Sequence, residues 1–401
     1  MNRILALATV TALFGSLASA ATPADTNTGW PQFRGPNRNG ISPEKGLFAT
    51  LKDGVQVVWK ASLGTGFTSM AVANGLVYAS GNAKDQDTLS AFDAATGKPA
   101  WAYSYPAKLD PNQYEGGPNA TPTVVGAVVY GFSKDGLAIC LDAKTGKEVW
   151  KVNLPQEVGA ERPDWGFSGS PTVEGQALYL NVGKYGCCLD RTTGKVVWKS
   201  AGDKAGYATP LPFPASKPTT LLIFGGTALA GVDPSTGKML WEETWTTSYK
   251  VNATDPIISG SRIFVSTGYG YGCALFDLSS GKPQEVWRNK AMRNHFNAGV
   301  LVDGSIYGFD DATLKCLDWG TGAQKWEQAG LGKGSLASAD GKLVILSDKG
   351  ELVIADASPV GYKELTRTQV LSGKCWTSPA IANHHIYCRN AKGDLVCLEV
   401  K

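Results

Sequence analysis

Asp93-Ala-Ala-Thr-Gly-Lys-Pro-Ala-Trp101 returns along the chain as Asp142-Ala-Lys-Thr-Gly-Lys-Glu-Val-Trp150, Asp190-Arg-Thr-Thr-Gly-Lys-Val-Val-Trp198 and Asp233-Pro-Ser-Thr-Gly-Lys-Met-Leu-Trp241. Looser copies run from Asp277 to Trp287 and from Asp318 to Trp326. Together with Asp356, successive Asp residues stand 38 to 49 residues apart, the length of one four-stranded propeller blade.

Each copy reads as a hairpin. An alternating apolar run such as Gly136-Leu-Ala-Ile-Cys-Leu141 makes a strand, Asp-x-x-Thr-Gly makes the turn, and a β-rich run ending in Trp leaves it. Asp accepts the backbone amides ahead of it, Gly takes the positive φ the turn needs, Lys stays in solvent and Trp packs back between sheets. A second hairpin precedes each copy, as in Pro122-Thr-Val-Val-Gly-Ala-Val-Val-Tyr130, and two hairpins make four strands.

Eight such upstream hairpins are legible: Met70 to Tyr78, Pro122 to Tyr130, Pro171 to Tyr179, Pro210 to Phe224, Pro256 to Phe264, Gly299 to Tyr307, Ala337 to Ile345 and Pro379 to Tyr387. The last continues to Leu395-Val-Cys-Leu-Glu399 without an outer strand, while Val55-Gln-Val-Val-Trp59 is a Trp-ending strand with no turn before it. Joining the two closes the ring and removes its open edges. The expectation is an all-β, eight-bladed β-propeller over residues 55–401, with an N-terminal strand completing the last blade. Seven blades is the competing count, because the unit from Leu352 to Leu365 has neither Thr-Gly-Lys nor Trp.

Composition agrees with one all-β domain: 48 Gly, 12 Trp and 18% charged residues in 401. Residues 1–20, with Arg3, an apolar run and Ala18-Ser-Ala20, have the parts of a secretory signal peptide, leaving residues 21–54 as an N-terminal extension. The apolar run is short for a membrane span, so no transmembrane segment is expected in the mature chain. Formal net charge is +3, or +2 without Arg3, and no basic run interleaves with aromatics, which argues against nucleic acid.

Eight cysteines suggest disulfides, yet Cys140, Cys188, Cys316 and Cys397 share one repeat position that other blades fill with Ala91, Gly231, Leu275 and Ala355. That position reads as small and apolar. A turn at Lys392-Gly393 would set Cys388 opposite Cys397, a pair an exported protein can oxidise. Cys187 and Cys188 are adjacent within a strand, where successive side chains point to opposite faces. The histidines, His295, His384 and His385, lack partners at metal-ligand spacing, and no hydrolase elbow, phosphate loop or zincin motif is present.

The repeat resembles the outer-strand signature Ala-x-Asp-x-x-Thr-Gly-Lys-x-x-Trp of the pyrroloquinoline-quinone-repeat, or quinoprotein-like, β-propellers; Ala91 to Trp101 matches it throughout. The likeness covers roughly Trp59 to Lys401. It implies that Trp59, Trp101, Trp150, Trp198, Trp241, Trp287 and Trp326 make structural contacts between blades. Trp30-Pro-Gln-Phe-Arg-Gly-Pro-Asn-Arg-Asn-Gly40 is similar to the opening of many exported bacterial members. Its residues read as an extension laid across the propeller, with Trp30 and Phe33 buried and Arg34 bonded to backbone. Compact eight-bladed relatives of the BamB type are scaffolds of the outer-membrane assembly machinery. Larger relatives are dehydrogenases that hold pyrroloquinoline quinone with calcium beneath an adjacent-cysteine disulfide.

A propeller's site lies at the channel mouth, on loops joining one blade's outer strand to the next blade's inner strand. Those loops offer Tyr105, Tyr114, Arg162, Trp165, Phe167, Tyr207, Trp245, Tyr249, Arg293 and Trp376 as a rim suited to a peptide, a glycan or a flat small molecule. Asp164, Asp255 and His295 are the candidate acid-base residues. The reading is an exported, non-enzymatic, monomeric propeller in the periplasm or envelope of a Gram-negative-type bacterium, binding an envelope protein or polymer through its loop face. The competing reading is a quinone-dependent alcohol or sugar dehydrogenase with calcium; a polysaccharide hydrolase or lyase is a third, without a carboxylate pair to support it.

Overall fold

The computed structural model describes residues 29–52, 54–200, 202, 204–215 and 219–401, so the signal-peptide segment lies outside the described residues. Among those described, the architecture is eight four-stranded antiparallel blades, one with a short parallel strand added at its inner edge, and a single short helix, Leu154–Val158. Blade 1 comprises Ala71–Ala73, Leu76–Ala83, Gln86–Asp93 and Pro99–Pro106, hydrogen-bonded in chain order from the channel outward. Blades 2 to 7 repeat this order, beginning at Thr123, Thr172, Leu211, Ile257, Val300 and Ser335. Blade 8 takes Ala380–Ala382, His385–Arg389 and Asp394–Val400 from the C-terminus, and Val55–Ser62 from the N-terminal side as its outer strand. The unit around Leu352 is blade 7, so the count is eight. No helix among the described residues is long and apolar enough to cross a membrane.

The turn chemistry is repeated. The Oδ1 of Asp93, Asp142, Asp190 and Asp318 accepts both the backbone N–H and the hydroxyl of the Thr three residues on, at 2.7–3.0 Å. The glycine that follows has φ near +70°. That glycine also receives the preceding blade. A Cβ on Gly97, Gly146, Gly194 or Gly322 would lie 2.5–2.8 Å from the indole of Trp59, Trp101, Trp150 or Trp287 respectively. Each of these Trp Nε1 groups, with those of Trp198 and Trp326, donates to a carbonyl of the next blade at 2.8–3.0 Å. Their other ring face meets an aromatic of the same blade, Trp150 on Tyr130 at 6.0 Å for example.

The shared repeat position now has its reason. Cys140, Cys188, Cys316 and Cys397 each sit between an aromatic strand neighbour and the Trp, and Leu275 fills the same place between Phe264 and Trp287, so the position asks for an apolar side chain that packs under the indole. The register corrects one expectation: Cys388 pairs with Val396, and Cys397 with Tyr387, so the two cysteines are not opposite one another. Cys187 packs into the cluster shared with blade 2 and Cys188 into the one shared with blade 4.

Blade 7 has no docking Trp. Thr366 holds that ladder position, paired with Ile354, so Ile354 and not the expected Ala355 is the blade 7 residue of the shared repeat position; Glu364, beyond the bulge, is tied to Arg367 and Tyr362. Closure of the ring relies instead on the Val55–Ser62 strand and on Arg389. This guanidinium is fully buried and donates to Ser80 O at 2.7 Å, Gly64 O at 3.0 Å and Thr68 Oγ1 at 3.0 Å, all in blade 1 or its approach.

Replacing Trp150 with Ala should lower unfolding stability by about 3–5 kcal/mol through the vacated inter-blade space. Gly194→Ala should destabilise the same junction from its other side. Urea unfolding of both variants checks this; wild-type midpoints would contradict the docking account.

Candidate functional site

The N-terminal segment, not the blades, decides what kind of site the channel can be. Trp30 exchanges backbone hydrogen bonds with Val72 of blade 1, and Pro31 O accepts Val124 N–H of blade 2 at 2.8 Å. Arg38 reaches Val173 O and the Glu174 carboxylate of blade 3. Gly40 O accepts Ser338 N–H of blade 7, beside which Ile41–Ser42 adds a parallel strand. The Glu44 carboxylate accepts the amides of Asn383 and His384 in blade 8. At the centre, the buried Arg34 donates to Ala298 O at 3.2 Å, Gly299 O at 2.7 Å and Asn39 O at 3.0 Å. The segment is a plug stitched to the inner edges of six blades.

Above the plug, towards the loop face, lies a cavity of about 290 Å³ with Phe33 of the plug among its lining residues. Its walls are aromatic: Phe67, Tyr114, Trp165, Tyr207, Phe296 and Trp376, with Tyr269 and His295 beside them. Trp165 packs edge-on to Tyr207 at 6.2 Å and donates from Nε1 to Asn112 O; Phe296 packs on Trp376 at 4.6 Å. Carboxamides of Asn112, Gln113, Asn119 and Asn297 add neutral polar groups, and among the described residues no Lys or Arg lines the space.

The polar part of the lining is a blade-to-blade relay. Ser69 N–H donates to Thr121 Oγ1 at 2.9 Å, Thr121 N–H to Ser170 Oγ at 3.0 Å, Ser170 N–H to Thr209 Oγ1 at 3.3 Å and Thr209 N–H to Asp255 Oδ1 at 2.7 Å. A hydroxyl that accepts in this way keeps its own proton to donate. The other Asp255 oxygen is buried and has no hydrogen-bond partner. Burial pushes the Asp255 carboxyl up to about 6, against the pull of the nearby Arg34 guanidinium and the Thr209 amide.

His295 is held in a neutral role. Burial, then the Lys333 ammonium 2.9 Å from its Nδ1, lowers its pKa to about 4. Its ring stacks on Phe296 at 4.8 Å and meets Tyr269 edge-on at 4.7 Å.

Of the residues expected at the rim, Tyr114, Trp165, Tyr207 and Trp376 line the cavity, as do Asp255 and His295. The others do not. Trp245 is fully buried between blades 4 and 5, its Nε1 donating to Thr267 Oγ1, because its backbone extends the blade 4 ladder and turns the ring inward. Phe167 is buried against Phe132, and Tyr105 lies half-buried on an outer strand against Tyr103. Arg162 pairs with Asp110 and Asp135, Asp164 with Lys204, and Arg293 with Asp310. Tyr249 stands outside, 60% exposed and packed on Tyr269. Phe67, Tyr269, Phe296 and the hydroxyl relay were not singled out in the sequence, and Phe33, expected to be buried in the extension, is part-exposed and lines the cavity. The relay had a signal: Thr121-Pro122, Ser170-Pro171, Thr209-Pro210, Asp255-Pro256 and Ser378-Pro379 open five inner strands alike.

The fold and site define the class: an eight-bladed propeller of quinoprotein-like repeats whose channel is plugged from one side and opens as an aromatic cup on the other. The family model described as outer membrane protein assembly factor BamB matches residues 42–112, 107–328 and 310–401, and the chain belongs to that family. No curated protein matches the chain in sequence. Among solved structures, BamB from Moraxella catarrhalis is similar at 16% identity and TM-score 0.63, covering 86% of this chain and 98% of that one. Quinohemoprotein alcohol dehydrogenase from Comamonas testosteroni is similar at 15% identity and TM-score 0.70, covering 93% and 80%. A europium-containing methanol dehydrogenase is similar at 12% identity and TM-score 0.69, covering 93% and 98%.

Because the folded-state pKa of Asp255 is raised, its contribution to stability is present below its unfolded value near 3.8 and is lost as pH rises through about 6. The stability of Asp255→Asn relative to wild type should therefore climb between those pH values and then level off. Urea midpoints across that range read the difference directly; a pH-independent difference would contradict the buried-carboxyl assignment.

Proposed function

We propose that this protein is an exported, non-enzymatic binding propeller that holds part of an envelope protein or polymer in the cup on its loop face. The observation carrying this reading is the cavity's chemistry. Rings, carboxamides and hydroxyls surround it, while the acid-base candidates do not act together: Asp164 is paired with Lys204, and His295 is engaged by Lys333. Such a lining recognises and orients a ligand. The family description and the Moraxella BamB structure point to envelope assembly as the setting, and the expected signal peptide fits export.

The dehydrogenase neighbours make a quinone cofactor the alternative, and the lining fits it poorly. Pyrroloquinoline quinone is a tricarboxylate, and the cavity adds a carboxylate of its own with no Lys or Arg among the described lining residues to offset it. Among the described residues no cluster of three or more His, Cys, Asp or Glu is arranged to hold a metal. Cys187 and Cys188 are buried on opposite faces of a blade 3 strand and do not line the cavity.

A photo-crosslinking residue placed at Trp165 in the living cell should capture a discrete envelope component that the same residue placed at Lys144, in an outer turn, does not. Absence of any such adduct, together with dye reduction by the protein loaded with the quinone and calcium in the presence of an alcohol, would overturn the reading.

A further inference from the structure

We propose that the ligand group held in the cup is an uncharged saccharide, one sugar ring or a short neutral oligosaccharide end. This rests on the binding reading above and names its ligand class.

The walls come first. Tyr207 enters blade 4 and Trp376 enters blade 8, so in an eight-membered ring they stand across the channel from one another. Trp165 flanks Tyr207, and Phe67 and Phe296 flank Trp376. The result is a slot with aromatic rings on opposing sides. Aromatic rings pack on the C–H faces of a pyranose while its hydroxyls, directed round the edge, need both donors and acceptors.

The lining provides both. The hydroxyls of Thr121 and Ser170 accept backbone amides and retain protons to donate. Asp255, 5% exposed, keeps one carboxylate oxygen with no hydrogen-bond partner. A buried carboxylate oxygen in this state lacks a donor, and a ligand hydroxyl supplies one. The volume of about 290 Å³ stands at the small end of ligand pockets, which run from about 300 to 1,000 Å³, and suits one or two sugar rings.

Charge selects against the other occupants of an aromatic cup. An anion finds no cation among the described lining residues. A quaternary ammonium finds Asp255 already facing the buried Arg34, and the Trp376 ring already carries Lys374 Nζ 4.2 Å from its centroid. His295, with its depressed pKa, is uncharged at neutral pH and adds no field.

The test is calorimetric titration, with tryptophan fluorescence in parallel, of the mature chain against maltotriose, cellotriose and chitotriose, and separately against acetylcholine and against pyrroloquinoline quinone with calcium. At least one trisaccharide should bind, and its affinity should fall about tenfold or more in Trp165→Ala and in Asp255→Asn. Tyr249→Ala, outside the cavity, should bind as wild type does. Thermal melts establish that each variant is folded, and Trp165→Ala removes a ring at the rim rather than in the core. Failure of every trisaccharide, or binding insensitive to both lining variants, overturns the saccharide assignment. Acetylcholine bound in a Trp165-dependent way overturns it too, while leaving the cup a binding site. Stoichiometric binding of the quinone overturns both this inference and the binding reading.

Discussion

The indole of one blade resting on the turn glycine of the next is the contact on which the rest of the molecule depends. It fixes the distance between neighbouring sheets, and its Nε1 hydrogen bond fixes their rotation. Because the glycine has no side chain, the same contact is made again at five junctions of the ring, by Trp59, Trp101, Trp150, Trp198 and Trp287. The pattern breaks at blade 5, where no indole reaches the turn glycine Gly281 and the expected Trp241 packs on Gly231 of its own blade, and at blade 7. There Thr366 stands where the Trp would be, and the ring is closed by the Val55–Ser62 strand and the carbonyl-capping Arg389.

The N-terminal segment turns this ring into a cup. A propeller channel is open at both ends unless something fills it, and residues Trp30 to Glu44 fill one end by bonding the inner edges of six blades. Arg34 is the keystone, a buried cation satisfied by backbone carbonyls with the Asp255 carboxylate nearby. The plug and the cavity are thus one construction: the residue that seals the floor also pulls, against burial, on the one carboxylate that lines the space above it among the described residues.

The blade count and the shared last blade could be read from the chain because each depends on a local signal: a turn that needs Asp, Thr and Gly, a strand that ends in Trp, an orphan strand at either end. The docking role of the Trp residues was carried over from the family resemblance, and the glycine each indole meets was not foreseen. The site was only partly legible. Tyr114, Trp165, Tyr207 and Trp376 lie on the loops where a propeller's site was expected, but so do Trp245 and Phe167, and nothing local says which ring turns inward. That choice is made by packing against the neighbouring blade, Trp245 against Tyr271 and Phe276, Phe167 against Phe132. The registry of Cys388 failed for a related reason, since a one-residue slip in a hairpin changes every cross-strand partner. Phe33 was assigned to the plug's buried side, whereas the crossing of the channel leaves its ring in the cavity lining.

The most direct measurement is native mass spectrometry of the protein released gently from its own cell envelope. The account predicts a non-covalent adduct with the mass of a neutral saccharide or a saccharide-bearing fragment, absent from Trp165→Ala prepared in the same way. An adduct with the mass of pyrroloquinoline quinone and calcium, on a protein that oxidises alcohols, would contradict it.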